Sequence, residues 1–323
     1  MLKTYLHVSA KQVVQCVLPD RFPAGKSGGQ EPHRVPPGLN VTRTPLCYLN
    51  LESNSFGHQL GPLLIQRLLG DDSSRLVLQN VRGKEQRRGP CLFGVGTILA
   101  DARPRDAVWG SGLSHSPPAP GPWGGHTSSN ETRGKRAAPR PKIYALRGPK
   151  THDLLVQAGQ PNHTVVYGDP LMLVARLFPE YVSPEAARTR DACFLLHPRY
   201  NRVHGAFLKY SKWVMYATMG YDVVIPFLLG CRLVVSSSLS GIVVAEAYGI
   251  PTRWLHMTQA HSSTQLAAQS VFKFCDYYAA TGRGCEDRAT SPDKAVAMGG
   301  KAPIQGYDYE TLLKSFPYAL YTA

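Results

Sequence analysis

The sequence lacks a long apolar run and is short of acidic residues. No stretch reaches the roughly 18 apolar residues that a membrane-spanning helix requires. The closest candidate, residues 221–235, is interrupted by Asp222, Pro226 and Arg232, and we expect it to be buried core. Acidic residues number 22 against 36 Lys and Arg, which gives a formal net charge of +14. This positive charge is compatible with the binding of small anions such as phosphates.

Sequence signatures of nucleic-acid binding are also lacking. The chain contains no C2H2 spacing, no basic zipper and no aromatic ribonucleoprotein strand. Much of the positive charge lies in segments of irregular composition, where a solvated charge run is the ordinary explanation. We therefore expect no nucleic-acid partner. A nucleic-acid-binding protein is the alternative that rests on net charge alone, and it predicts an affinity that falls steeply with salt.

The seven cysteines form no recognisable framework. Their number is odd, and none is spaced as C-x-x-C, which indicates neither a disulfide scaffold nor a zinc site. Cys47, Cys91, Cys193 and Cys231 lie in apolar runs, where cysteine behaves as a small hydrophobic residue. We therefore expect most of them to be core thiols. No ligand cluster argues for a metal, and we expect no cofactor.

Signals for cellular location conflict. Residues 1–19 contain two lysines and no acid, as in organelle-targeting segments, but they lack the apolar centre of a secretory signal. Three N-x-T triplets begin at Asn40, Asn130 and Asn162, and each is a glycosylation acceptor only in the secretory pathway. Cytoplasmic, plastid and Golgi or secretory locations are all compatible with the sequence.

Short apolar runs alternate with helical patterns, which predicts an α/β fold with parallel sheets. We expect residues 1–43 to be a leader or irregular arm. An N-terminal Rossmann-like domain is predicted for residues 44–187, with a Pro-, Gly- and Lys/Arg-rich insertion at 114–142. A second, C-terminal Rossmann-like domain is predicted for residues 188–323.

Polar residues follow several of the predicted strands. Ligands of open α/β sheets bind at the carboxyl ends of strands, so these residues are the candidates for a site. They are Phe56-Gly-His58, Trp109-Gly-Ser-Gly112, Arg147-Gly148, Gly168-Asp169-Pro170, His197 and Ser236–Gly241. The G-x-G at Gly110–Gly112 is not followed by the spacing of a dinucleotide site.

Taken in order, these segments resemble one family, the polysaccharide pyruvyl transferases. The resemblance covers residues 44–320, and six matches in the right order give it weight. They are Phe56-Gly-His-Gln-Leu-Gly-Pro62, the pair Gly96-Thr-Ile-Leu and Val108-Trp-Gly-Ser-Gly, Ala145-Leu-Arg-Gly-Pro149, Tyr167-Gly-Asp-Pro-Leu171, Val234 through Pro251, and Phe272-Lys-Phe-Cys-Asp-Tyr-Tyr278. The resemblance implies two Rossmann-like domains in a glycosyltransferase-B-like arrangement. It also implies transfer of a pyruvyl group from phosphoenolpyruvate to two hydroxyls of a sugar or polysaccharide acceptor, with release of phosphate.

That donor carries a carboxylate and a phosphate, which require fixed cations and N–H donors. Arg147 follows a predicted strand and can offer a bidentate fork, although an ion pair between domains is the alternative. Ser238, Ser240 and Gly241, with the amides at Gly241 and Ile242, are expected to hold the phosphate at the start of a helix.

Ketal formation needs one group that protonates the enol carbon and another that accepts the proton of the acceptor hydroxyl. We expect Asp169 and His197 to fill these roles. Their alternatives are a turn with a helix cap for Asp169 and a structural loop position for His197. Gly57, His58 and Trp109 are expected to line the acceptor site or the cleft.

Two positions depart from the family pattern. Ser240 replaces the histidine of the usual S-L-H-G motif, and a serine hydroxyl is no acid near neutral pH. His58 stands where an aspartate is usual. These departures motivate the alternative that the chain is a catalytically impaired member that binds carbohydrates or anions.

Overall fold

The structure is a computed structural model, and it describes most of the chain from residue 46 onwards. The described residues are 46–48, 55–70, 78–80, 87, 89–115, 140–181, 184–260, 263–285, 288–302 and 304–321. The predicted arm at 1–43 and residues 116–139 of the predicted insertion lie outside them. Lys142, at the end of that insertion, is already the first residue of a strand.

The described chain has an α/β fold with two parallel sheets, as the alternation of strands and helices predicts. The first sheet consists of β1 (Leu46–Tyr48), β2 (Leu78–Asn80), β3 (Leu92–Phe93), β4 (Ala107–Trp109), β5 (Lys142–Leu146) and β6 (Val166–Tyr167). Their spatial order is β2-β1-β3-β4-β5-β6, and each neighbouring pair is parallel. The order along the sheet therefore reverses between β1 and β3.

The second sheet has the same kind of reversal. Its strands are β7 (Cys193–Leu196), β8 (Val214–Tyr216), β9 (Val234–Ser236) and β10 (Thr252–Trp254), in the order β10-β9-β7-β8. All of its pairs are parallel. In doubly wound folds such a reversal opens a crevice between the two strands, at their carboxyl ends. Here the crevices lie between β1 and β3 and between β7 and β9.

Eight α-helices are defined in the described part of the chain. They are α1 (Phe56–Leu68), α2 (Pro149–Gln157), α3 (Val174–Leu177), α4 (Tyr221–Leu229), α5 (Leu239–Ala247), α6 (Thr264–Ala280), α7 (Pro292–Met298) and α8 (Tyr309–Lys314). Among the described helices, none has both the length and the apolar content needed to cross a membrane.

Apolar residues cover both faces of both sheets, which explains why the strands are continuous apolar runs. One core combines residues from both sheets with the inner helices, and α5 is buried on nearly all sides within it. A second core lies on the other face of the first sheet and includes Cys47, Phe93 and Val108. A third, with Phe194 and Val235, lies on the other face of the second sheet.

The predicted domain boundary near residue 187 falls between the last strand of the first sheet and the first strand of the second. The C-terminal segment, however, returns to the first sheet. The Trp109 indole donates to the Leu312 carbonyl at 3.2 Å, and Phe316 contacts the same indole edge-on at 4.9 Å. The Tyr307 hydroxyl donates to the Tyr167 carbonyl at 2.5 Å.

The expectation of free core thiols is wrong for six of the seven cysteines. Disulfides join Cys47 to Cys91, Cys193 to Cys231 and Cys275 to Cys285. The Cα atoms of these pairs are 5.7, 5.9 and 4.9 Å apart, which is the normal range for a disulfide. The burial of Cys47, Cys91, Cys193 and Cys231 was predicted correctly, but the pairing depends on which elements are neighbours.

Candidate functional site

The residues predicted around the Ser-rich turn lie at the crevice of the second sheet. His197 follows β7, Ser237 follows β9, and the backbone N–H of His197 donates to the Ser237 hydroxyl at 2.9 Å. Helix α5 begins immediately afterwards, at Leu239. Its N-cap residue, Ser238, makes no side-chain capping bond, and the first turn contains no acidic residue. Neither its N-cap side chain nor a residue of its first turn therefore neutralises the partial positive charge of this helix start.

Helix α1 brings the first sheet to the same place. A Cβ atom on Gly57, in the first turn of α1, would lie 2.1 Å from the Ser240 hydroxyl oxygen. The Phe56 N–H donates to the Ala217 carbonyl at 3.0 Å, so the start of α1 is fixed to the end of β8. The structure thus brings Gly57 and Ser240 together from opposite halves of the chain. His58 is the next residue of this turn and is half-buried.

Close packing accounts for Gly241. A Cβ atom there would lie 2.5 Å from the Ser236 hydroxyl oxygen and 2.7 Å from a methyl group of Leu195. Glycine therefore lets α5 approach β7 and β9. The Ile242 N–H donates to the Ser238 carbonyl at 3.2 Å, so this amide is not available to a phosphate, contrary to our expectation. The amides of the first turn, before Ile242, are the remaining donors.

Replacing Gly57 with alanine is expected to separate α1 from α5. Alanine favours helix formation, but the added methyl group would overlap Ser240, so the net effect is a loss of about 1–3 kcal/mol in the free energy of unfolding. Gly205→Ala is the matched control, because no atom lies within 4 Å of the added Cβ. Urea unfolding of both variants measures the effect, and equal stabilities would contradict this packing.

Asp169 lies after β6 and caps the short 3₁₀ helix Pro170–Leu173. Its carboxylate accepts from the Leu171 N–H at 3.0 Å, which is the capping role kept above as its alternative. The side chain is buried, and removal from water raises its pKa to about 6, although the Leu171 amide and the Arg147 charge oppose the shift. A carboxyl with this pKa can exchange a proton near neutral pH, so the proton-transfer role of Asp169 stays a prediction.

Asp169 is expected to make stability fall between about pH 4 and pH 6. Its ordinary pKa is 3.8, so in this window the folded chain holds a proton that the unfolded chain has lost. The loss, on the order of 3 kcal/mol, is complete above about pH 6. Asp169→Asn keeps the capping oxygen and removes the titration. The variant should be more stable than the wild type by an amount that increases from about pH 4 to about pH 6. If the two unfolding free energies change in parallel with pH, Asp169 does not have a raised pKa.

Arg147 follows β5 and forms a buried ion pair. Its Nε donates to Asp276 at 2.9 Å, one terminal nitrogen donates to Thr97 at 2.8 Å, and the other donates to the Leu113 carbonyl. Only 1% of the residue is exposed. This is the alternative stated above for Arg147, and direct contact with a donor stays a prediction.

Trp109 lies in the core and not on the surface of a cleft. The residue is fully buried, and its indole N–H is satisfied by the Leu312 carbonyl and by the Ser315 hydroxyl at 3.0 Å. The sequence places Trp109 at a strand end but contains no sign that the C-terminal segment covers it. Trp109 therefore has a packing role in this structure.

Two cations near the crevice were not singled out from the sequence. Lys273 lies on α6, one turn before Asp276, and Arg199 follows His197. Removal from water, together with the charges of Arg199 and Arg147, lowers the pKa of Lys273 to about 8. Among the described residues, neither the Lys273 nor the Arg199 side chain forms an ion pair with a carboxylate. Lys273 lies within the segment Phe272–Tyr278, which was noted for its resemblance to the family, and this was the one feature of the sequence that pointed to it.

The start of α5 and Arg199 thus lie just after the carboxyl ends of β9 and β7, and Gly57 packs against Ser240 of α5. Lys273 is close enough to Arg199 and Arg147 for their charges to lower its pKa. No group of three or more His, Cys, Asp or Glu residues within the described ranges could hold a metal ion. The fold and site define an α/β protein of two parallel sheets with an anion-compatible crevice. Comparisons with protein-family models, with curated proteins and with solved structures found no match.

Proposed function

We propose that this chain is a transferase of the pyruvyl transferase type, with a glycosyltransferase-B-like arrangement of its two sheets. The donor would be phosphoenolpyruvate, and the acceptor would be two hydroxyls of a sugar or polysaccharide. The main support for the proposal is the close packing of Gly57 against Ser240, beside the crevice of the second sheet. Gly57 was predicted for the acceptor side and Ser240 for the donor side, and 183 residues separate them in the sequence.

The donor is an anion, and the crevice supplies what an anion requires. The start of α5 offers backbone N–H groups, and Lys273 and Arg199 add positive charges. Burial is the main cause of the lowered pKa of Lys273, and the charges of Arg199 and Arg147 add to it, so an anion bound between these charges would relieve their repulsion. Arg147 would act by fixing α6, through Asp276, so that Lys273 keeps its position.

The proton transfers fall to Asp169 and His197. A neutral Asp169 carboxyl would protonate the enol carbon of the donor, which leaves an oxocarbenium-like carbon that an acceptor hydroxyl attacks. His197, whose Nδ1 accepts from the Arg199 N–H at 3.3 Å, would take the hydroxyl proton. Attack by the second hydroxyl, whose proton returns to the Asp169 carboxylate, forms the second C–O bond of the ketal. The bond from the same carbon to the phosphate oxygen breaks, and the departing phosphate takes the proton held by His197.

A Lys273→Met variant tests the donor site. We expect it to weaken phosphoenolpyruvate binding about 10- to 100-fold, because a hydrogen bond to a charged group contributes about 1.5–3 kcal/mol. Lys273→Arg should restore most of the affinity, and the exposed Lys212→Met is the matched control. Wild-type affinity should also fall as the pH rises through about 8, where Lys273 loses its charge. Calorimetry measures the dissociation constant in each case. If neither the Lys273→Met substitution nor the pH changes the affinity for phosphoenolpyruvate, Lys273 is not part of the donor site.

Catalysis is tested separately from binding, by measuring phosphate release that depends on an added sugar. We would measure this release with a panel of acceptors that contains galactosides, mannosides and N-acetylmannosamine-containing sugars. Mass spectrometry then detects any group added to the sugar. Release together with a pyruvate-sized addition supports the transferase, and absence of both donor binding and release contradicts it.

Binding without release would support the second candidate, an impaired member that binds anions or carbohydrates. The specific observation in its favour is Ser240, which stands in place of the family histidine. Activity that appears on Ser240→His from an inactive parent would confirm this second candidate.

A further inference from the structure

One of the three N-x-T triplets lies in a described surface loop. Asn162-His163-Thr164 falls between the end of α2 at Gln157 and the start of β6 at Val166. Both Asn162 and Thr164 are exposed, and the middle residue is histidine and not proline. This is the kind of segment in which an asparagine can carry a glycan.

The backbone of this loop is not committed to regular structure. Gly159, two residues after the end of α2, has a φ of +91°, the left-handed conformation that glycine adopts readily. Within the described part of the chain, residues 161–164 make no backbone–backbone hydrogen bond. The His163 ring bonds to the Pro161 carbonyl at 2.9 Å and lies edge-on to the His152 ring, with 6.1 Å between the ring centroids. The segment can therefore bind to a modifying enzyme in an extended form without breaking a strand or a helix.

The disulfides give an independent indication of compartment. Three pairs are closed, and four of the six cysteines, Cys91, Cys193, Cys231 and Cys47, are almost completely buried. Disulfides form and persist in oxidising compartments such as the endoplasmic reticulum lumen, and reducing cytosol keeps thiols free. The N-x-T triplet and the disulfides therefore require the same environment.

We propose that Asn162 is an N-glycosylation site and that the chain folds in an oxidising secretory compartment. In the reaction, the Asn162 amide nitrogen forms a bond to the anomeric carbon of an oligosaccharide carried on a lipid pyrophosphate. The bond from that carbon to the pyrophosphate oxygen breaks, the lipid pyrophosphate leaves, and the amide nitrogen gives up one proton. The Thr164 hydroxyl is the part of the triplet that the transferring enzyme recognises.

The position of Asn162 keeps a glycan away from the candidate site. The loop leads into β6, so it lies at the amino ends of the parallel strands of the first sheet. The candidate site lies at the carboxyl ends, where α1 begins. A bulky sugar on Asn162 is therefore compatible with an open site, and this inference does not depend on the proposed function.

Peptide mapping of the full chain tests the proposal. The chain is secreted from a eukaryotic cell behind a cleavable signal, and it is also isolated from the cells that make it naturally. Trypsin releases residues 151–176 as one peptide that contains Asn162 and neither of the other two triplets. We expect that peptide to carry a glycan and, after enzymatic deglycosylation, to contain aspartate at position 162. Thr164→Ser should keep the glycan, and Thr164→Ala and Asn162→Gln should lose it.

Two results would overturn the proposal. The first is recovery of peptide 151–176 entirely unmodified from protein whose disulfides are closed. The second is alkylation of Cys193 and Cys231 before any reduction in the naturally produced chain, which would show free thiols and a reducing compartment. Because the wild-type peptide is the primary readout, a variant that fails to fold does not affect the test.

Discussion

An Asp276→Ala variant is expected to lose about 3–5 kcal/mol of unfolding free energy, because it leaves a buried guanidinium without its counter-charge. The Arg147 and Asp276 side chains are 1% and 0% exposed, and their atoms are 2.9 Å apart. Asp276 also accepts from the Thr151 N–H at 2.9 Å and from the Thr151 hydroxyl at 2.6 Å, at the start of α2. One carboxylate therefore fixes α6, α2 and the end of β5.

Urea unfolding with linear extrapolation measures this loss. Asp293→Ala is the matched control, since Asp293 pairs with Lys209 on the surface, where solvent screens the interaction, and we expect a far smaller effect. Replacing both partners, with Arg147→Met and Asp276→Leu, should cost less than Asp276→Ala alone, because no charge is left buried. If Asp276→Ala costs no more than Asp293→Ala, the buried pair does not stabilise the fold.

Removing the Cys193–Cys231 disulfide is expected to cost about 4 kcal/mol, since it frees a loop with a sequence separation of 38 in the unfolded chain. The bond ties the start of β7 to Cys231, two residues after the end of α4, and both cysteines are completely buried. The Cys193→Ala, Cys231→Ala double variant should therefore unfold at a clearly lower urea concentration under non-reducing conditions.

The Cys275–Cys285 disulfide provides the comparison. Its sequence separation is 10, so the same argument predicts a smaller loss of about 2.5–3 kcal/mol for the Cys275→Ala, Cys285→Ala variant. Thermal unfolding gives an independent measure of both variants. The loop-entropy explanation fails if the shorter loop costs more than the longer one, or if reduction of the wild type changes nothing.

The local alternation of strands and helices was sufficient to predict the fold class. The run Cys193–Leu196 is apolar at every position because both faces of its sheet are covered, and it forms β7 as expected. Strand β2 was not predicted, since Leu78–Asn80 is short and mostly polar. The spatial order of the strands could not be predicted from the sequence. Cys47 and Cys91 form a disulfide because β1 and β3 are neighbours, although their sequence separation is 44.

The same distinction holds at the candidate site. His197, which directly follows β7, and Ser240, in the helix that begins just after β9, were accessible to sequence reasoning because the carboxyl ends of parallel strands meet at one edge. Lys273 was not singled out as a cation of this site, because a lysine inside a helix gives no sign of which element it faces. Trp109 was placed in the cleft because its position at a strand end does not reveal what covers it.

The contact between Trp109 and the C-terminal segment has a consequence during protein synthesis. The indole and its carbonyl partner, Leu312, are separated by 203 residues in the sequence. At the usual rate of 5–20 residues per second, a ribosome needs about 10 to 40 s to make that interval. During this time the strand that carries Trp109 has been made but lacks its cover. A nascent chain at this stage presents an indole that a holdase chaperone would bind, and release would await the arrival of Leu312 and Phe316.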